Sequence, residues 1–370
     1  MAKITRVDMC MVTLAPKVER TDAIQSFVSQ ETPIVRITDS DGQTGTGYSY
    51  TIGTGGPAIL SLLAQSLAPR LIGRDAEEIE GIWRDLLFAT HATAVGAITS
   101  LSLAAIDTAL WDLRCRRAGL PLWRMAGGAQ PRIPLYSTEG GWLHIETADL
   151  VADAQAVQAQ GFTGAKVKIG KPTLAEDRAR LAAVRDAVGE GFRLMVDANQ
   201  AFDLAEALRR SDMLGDLGIY WFEEPMPADD MRAHQRLAQH SRVPIAVGES
   251  MYSLSQFKDY LEHGACSVVQ ADVARVGGIT PWLKIAHLAE AFNVPICPHF
   301  LMELHVSLTC AVSNAPTLEY IPQLDAITSS RLNIQDGCAI PSNAPGLGID
   351  WDWSRIDALR EPRLDHHVEA

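Results

Sequence analysis

Phe192-Arg193-Leu194-Met195-Val196-Asp197, Ile219-Tyr220-Trp221-Phe222-Glu223 and Val243-Pro244-Ile245-Ala246-Val247-Gly248-Glu249 are three short apolar runs, each closed by a carboxylate. The acids are 26 residues apart in both intervals, close to the length of one strand-plus-helix unit. Neighbouring parallel strands then set three carboxylates on one rim. Crowded carboxylates raise each other's pKa unless positive charge joins them. A hard divalent cation with oxygen ligands, most simply Mg2+, meets that need.

Working outward, the same rhythm runs from 134 to 320. Apolar runs at 134–137, 164–169, 267–271, 294–297 and 317–320 complete a set of eight, with amphipathic helical patterns between most of them. Eight strand–helix steps predict a closed parallel barrel. The last run is followed by a poor helix, so the eighth helix is irregular or missing.

The first 130 residues follow another pattern. Strands are expected at 4–14, 32–39 and 44–50, with Asp41-Gly42 as a hairpin turn. Helical spacing covers 57–71, 76–88 and 94–118. The expected fold is α/β, a modified TIM barrel of (β/α)7β type with an N-terminal α+β capping domain. Its expected parts are the capping domain at 1–130, the barrel at 131–325 and a C-terminal segment at 326–370 that packs back on the capping domain. Segments 15–29 and 42–56 are the candidate lids over the barrel mouth.

A formal charge of −13 argues against nucleic acid and anionic membrane as partners. Cys10, Cys115, Cys266, Cys297, Cys310 and Cys338 contain no Cys-x-x-Cys pair, and buried inert thiols are the expectation. The start of the chain reads as a strand rather than a secretory signal. The most apolar long segment, 98–113, carries Asp107 and Asp112 and is too short to span a bilayer. The expected location is the cytoplasm.

In such a barrel, functional residues gather at the C-terminal strand ends. Strand two ends in Lys166-Val167-Lys168, which puts both lysines on one face. Like-charge repulsion is expected to lower one lysine toward a general base. Strand three presents Asp197 and Asn199, strand four Glu223 with Glu224 behind it, and strand five Glu249. Strand six ends at Asp272, strand seven at His299, and strand eight carries Glu319. Surface lysines, a helix-capping Asp272 and a structural His299 are the bland readings singly. An ionisable group on every strand from two to eight favours a shared site. Asp272 beside His299 fixes the imidazole tautomer and raises its basicity. The 275–280 stretch, Arg-Val-Gly-Gly-Ile-Thr, reads as a tight structural turn in preference to a phosphate loop. His366 and His367 read as a solvated tail.

Together with the helical segment 104–112 (Ala-Ala-Ile-Asp-Thr-Ala-Leu-Trp-Asp), these residues resemble the mandelate racemase subgroup of the enolase superfamily along essentially the whole chain. The resemblance implies that Asp197, Glu223 and Glu249 hold Mg2+ and that an enediolate forms when the proton α to a carboxylate leaves. It makes Lys168 one acid/base, with Lys166 tuning it and touching the substrate carboxylate. It makes His299, paired with Asp272, the other, and it gives a protonated Glu319 a hydrogen bond to donate. The runs 275–281 and 298–305 are similar to acid-sugar dehydratases of the subgroup, those acting on talarate and galactarate. Dehydration of an aldonate or aldarate to a 2-keto-3-deoxy acid is the implied reaction. The same residues suit a racemase or epimerase of a 2-hydroxy acid, or a cycloisomerase of a sugar lactone. A non-catalytic binding protein on this scaffold would show a damaged metal or base set. The expected partners are a small anionic substrate, touched at its distal end by Lys17, Arg20 and Tyr48, and further copies of the chain.

Overall fold

The apolar, β-branched runs Ile4–Leu14 and Gln30–Asp39 pair antiparallel in a computed structural model that describes residues 2–370. Thr44–Tyr48 adds on one side and His366–Glu369 on the other, giving a four-stranded sheet. The C-terminal strand thus closes the capping sheet, and exposed His366 and His367 lie on it. The sheet packs on the helix Ala97–Ala118. Contact is so close that a Cβ on Gly45 or Gly47 would sit 2.2 Å from backbone atoms of Ala109, so that face of the strand admits only glycine.

The helix expected at 57–71 is broken. It runs as Gly56–Leu62, then a π turn at Leu63–Leu67 and a 3-10 turn at Ala68–Arg70. Pro69 lacks an amide donor, which ends regular α pairing. Of the segment expected as a lid at 42–56, Thr44–Tyr48 is a strand of the capping sheet, and the stretch beyond it carries Tyr50 to the barrel residue Asp272.

The barrel strands are Ile133–Ser137, Gly164–Lys168, Arg193–Asp197, Phe222–Glu223, Ile245–Val247, Val268–Val269, a single bridge at Ile296, and Leu318–Tyr320. All pair in parallel, and the last closes on the first through Leu318↔Leu135. Tyr136, Met195, Trp221, Ala246, Val268 and Cys297 form its buried floor. Several helices begin where the sequence supplies a cap. Thr173 makes a capping box with Glu176, and Asp203, Asp230 and Ser253 each accept the third amide of their helix. The seventh helix, Met302–Ala311, is buried along most of its length, so no amphipathic period announces it. Residues 321–332 form no helix. The hairpin Asn333–Gln335 and Cys338–Ile340 then pairs antiparallel with the first barrel strand.

Two buried aspartates of the helix Ala97–Ala118 fasten the parts together. Asp107 accepts the amide and hydroxyl of Thr280 at 2.9 and 2.6 Å, capping the barrel helix Ile279–Ala291 across the domain boundary. Asp112 accepts the amides of Thr46 and Leu347. The 275–280 stretch is thus a structural turn, with Gly277 O also receiving the Trp83 indole.

A candidate metal and acid–base site

Register assembles the site. Lys168 lies opposite Asp197, and Asp197 opposite Glu223, on adjacent strands. Asp197, Glu223 and Glu249 are buried, and each offers an oxygen within 4.8 Å of the other two. The two lysines supply the positive charge. Lys166 Nζ is 2.6 Å from Glu223, 2.9 Å from Glu319 and 3.9 Å from Asp197, while Lys168 Nζ pairs with Asp197. Gln270 and Trp221 donate to the second Glu223 oxygen at 2.6 and 3.0 Å.

These charges do not balance. Burial pushes the Glu223 carboxyl up to about 8; Lys166 opposes this, and Asp197, Glu249 and Glu319 add to it. Burial, then Glu249 and Asp197, likewise drives Glu224 well above the carboxylate range. Glu249 keeps a buried oxygen without a donor. A cluster of hard oxygens short of positive charge fits a divalent cation of the Mg2+ kind.

For two residues the surrounding side chains favour the opposite protonation state to the one expected, for one reason. Burial is the largest single influence and disfavours the Lys168 ammonium, as does Lys166, but Asp197, Glu249 and Glu223 together outweigh them, so Lys168 sits above its ordinary value rather than below it. For Glu319, burial is overcome by Lys166, His299 and two hydrogen bonds, and the carboxyl lies far below its usual range. Its oxygens accept from Thr138 Oγ1 at 2.6 Å and Phe300 N at 2.8 Å. In this arrangement it is an acceptor, not the protonated donor expected. In both cases opposite charges from other strands tip the balance against burial.

His299 stands at the Glu249 end, its Nε2 3.5 Å from Glu249 and its Nδ1 3.0 Å from Asp272 Oδ2. Asp272 Oδ1 takes the amides of Ala274 and Arg275. Burial works against its ionisation, yet His299, then Arg275 and His305, hold its carboxyl down at about 2. His305 is a structural residue, buried, accepting the Val273 amide, and lowered to about 4 by burial first.

The capping domain supplies what sequence reading missed. Tyr50, not Tyr48, reaches the site: its hydroxyl is 2.7 Å from Asp272 Oδ2 and receives Arg275 Nε at 3.2 Å. Tyr48 is buried against Trp351 in the cap core, because the sheet ends there and only the residues beyond it turn toward the barrel. Arg20 is buried near the mouth, bonded to Gln323 and Glu139 and flanked by Phe27, Trp142 and Phe300. Lys17 is exposed and paired with Asp325. Asn199 donates its amide to Asp197 and keeps a buried side-chain oxygen free. Asn199, Gln200, Glu224 and Phe300, each just after a site residue, hold positive φ, a strain of about 1–3 kcal/mol apiece that clusters where side chains must be aimed. The long-range contacts of Tyr50 and Arg275 leave no local signal. Gln270 was legible, since alternation from Val268 points it inward.

Comparison with known proteins agrees with this geometry. Residues 149–355 match the family described as enolase C-terminal domain-like, and residues 7–127 match the mandelate racemase / muconate lactonizing enzyme N-terminal domain. The chain is 35% identical over 365 residues to a 3,6-anhydro-alpha-L-galactonate cycloisomerase of Streptomyces coelicolor, covering 97% of this chain and 99% of the relative. It is 37% identical over 316 residues to an L-talarate/galactarate dehydratase of Salmonella typhimurium, covering 85% and 79%. The crystal structure of an L-talarate dehydratase from Polaromonas sp. JS666, complexed with Mg and L-glucarate, superposes with a TM-score of 0.92 at 34% identity over the whole of both chains.

Proposed function

We propose, since the chain belongs to the mandelate racemase / muconate lactonizing enzyme family of the enolase superfamily, that it removes the proton α to a sugar-acid carboxylate and expels the β-hydroxyl, yielding a 2-keto-3-deoxy acid. One observation carries this reading. Three buried carboxylates converge within 4.8 Å, with Lys168 at one end and the His299–Asp272 pair at the other.

Asp197, Glu223 and Glu249 would hold Mg2+, which would supply positive charge where negative charge develops on the substrate carboxylate. Lys166 and Asn199 orient that carboxylate, and Glu319 keeps Lys166 in place. Lys168 would take the α-proton on one face, as the neutral amine left when a cation rather than its own ammonium balances Asp197. His299, held through Nδ1 by Asp272, gives its Nε2 proton to the departing hydroxyl, which leaves as water. The enol then tautomerises to the keto acid. Six free thiols, five of them buried, suit a reducing compartment such as the cytoplasm.

The cycloisomerase relative favours a second reading, in which the same residues isomerise a ring without losing water. Proton NMR in D2O, run with Mg2+ over a panel of acid sugars, separates the two. Deuterium at the α-carbon with loss of water supports dehydration, and rearrangement without water loss supports isomerisation. No exchange with any sugar acid would refute both.

A further inference from the structure

The lid hairpin carries an unmatched carboxylate to the mouth. Thr21 O accepts the Leu143 amide at 2.8 Å. Ala23 lies so close to Gly170 that a Cβ there would come within 2.7 Å of it. These anchors seat the hairpin Arg20–Thr21/Ser26–Phe27 over the ends of barrel strands one and two. Asp22 sits between them. Its Oδ1 accepts the amides of Ile24 and Gln25 at 2.8 and 2.9 Å, which fixes the carboxylate. Among the described residues no donor reaches Oδ2. Burial raises this carboxyl, with Lys168 opposing and Asp197 adding, so it feels the charges of the inner site.

Four cations of lid and rim are engaged. Arg20, 2% exposed, pairs with Glu139 at 2.7 Å and donates to Gln323 and Pro322 O. Lys17 pairs with Asp325. Arg180 donates to the carbonyls of Lys168 and Trp142, and Arg275 to that of Glu249. Deeper in, two ammoniums and a divalent cation cancel the four carboxylates Asp197, Glu223, Glu249 and Glu319. One substrate carboxylate already leaves the inner set negative. A second, at the far end of the molecule, meets the charge of Asp22. A hydroxyl there donates to Asp22 Oδ2 instead. The Arg20 Nε–H, buried without a partner, serves a hydroxyl or ring oxygen equally well.

Resting on the function above, we propose that the site takes a monocarboxylate, an aldonate in open or anhydro-ring form, and that Asp22 accepts from its distal hydroxyl while repelling aldarates. The test is kcat/KM with Mg2+ for aldonates against aldarates of matching configuration, on wild type and Asp22→Asn. Asn keeps the Oδ1 that holds the turn but loses the charge. Wild type favours aldonates by at least about tenfold, and Asp22→Asn narrows that ratio about tenfold by lowering the aldarate KM. Thermal shifts with each acid report binding without turnover and follow the same order. An aldarate preference in wild type, or a ratio unmoved in Asp22→Asn, overturns the proposal. If aldarates exchange their α-proton and aldonates do not, this inference fails while the reaction stands; if neither kind exchanges, both fall.

Discussion

Asp272→Asn is the sharpest probe of the acid–base arm. Asp272 Oδ2 takes two donors, the Tyr50 hydroxyl at 2.7 Å and His299 Nδ1 at 3.0 Å. Its carboxyl falls from 3.8 to about 2 in the fold, a gap worth about 2 kcal/mol. The folded value is depressed, so this stability is present above pH 3.8 and is lost as pH falls through 2. An amide at this position removes the carboxylate charge that pairs with His299 Nδ1, and its NH2 faces donors where the carboxylate accepted. His299 then turns its other tautomer to the mouth and loses its value as a proton donor. Positioned acid–base catalysis is worth about 10²–10⁴-fold, so kcat should fall by that range while the protein stays folded, destabilised by about 2 kcal/mol at neutral pH. The assay is steady-state dehydration of whichever acid sugar the D2O screen selects, with circular dichroism and urea melts in parallel. A folded Asp272→Asn protein that keeps kcat within about fivefold of wild type contradicts the assigned role.

Lys168→Ala and His299→Asn should each abolish turnover with far-ultraviolet spectra unchanged; full activity in either removes that residue from the mechanism. Mg2+ added to chelator-treated protein should raise the melting temperature by several degrees, since saturation a hundredfold above Kd stabilises by about 2.7 kcal/mol. Glu223→Ala should erase the shift, and a shift that survives it would place the ion elsewhere. Burial raises Asp107 from 3.8 to about 7, so its stability contribution is full below pH 3.8 and is lost as pH rises through 7. Asp107→Asn should therefore gain on wild type by up to about 4 kcal/mol between pH 4 and 8, less the cost of its mismatched amide. Parallel urea-midpoint curves for the two proteins would show that the aspartate does not titrate there.

What could be read in the sequence, and what could not, divides by the range of the forces involved. Asp197, Glu223 and Glu249 were legible because a parallel strand's alternation and even spacing convert directly into shared direction, and pairing opposite one another does the rest. Helix starts at Thr173, Asp203, Asp230 and Ser253 were equally local. Tyr48 and Tyr50 have the same parity, so alternation cannot separate them; the difference is where the sheet ends. Asp22 and Arg275 are placed by chain segments far away in sequence. The protonation states that the surrounding side chains favour at Lys168 and Glu319 run against expectation for a deeper reason. Two lysines two residues apart suggest repulsion, and an acid near a substrate carboxylate suggests protonation. The first argument counts neighbours along one strand, and the second counts only the substrate. In the fold the nearest charge comes from another strand, Asp197 for Lys168 and Lys166 for Glu319, and at these separations it outweighs the neighbour in sequence. Positions of charged groups follow from local pattern; the sign of their pKa shifts depends on the whole set of charges gathered at the mouth. That is why the Asp22 carboxylate, invisible as a motif, bears on which sugar acid can enter.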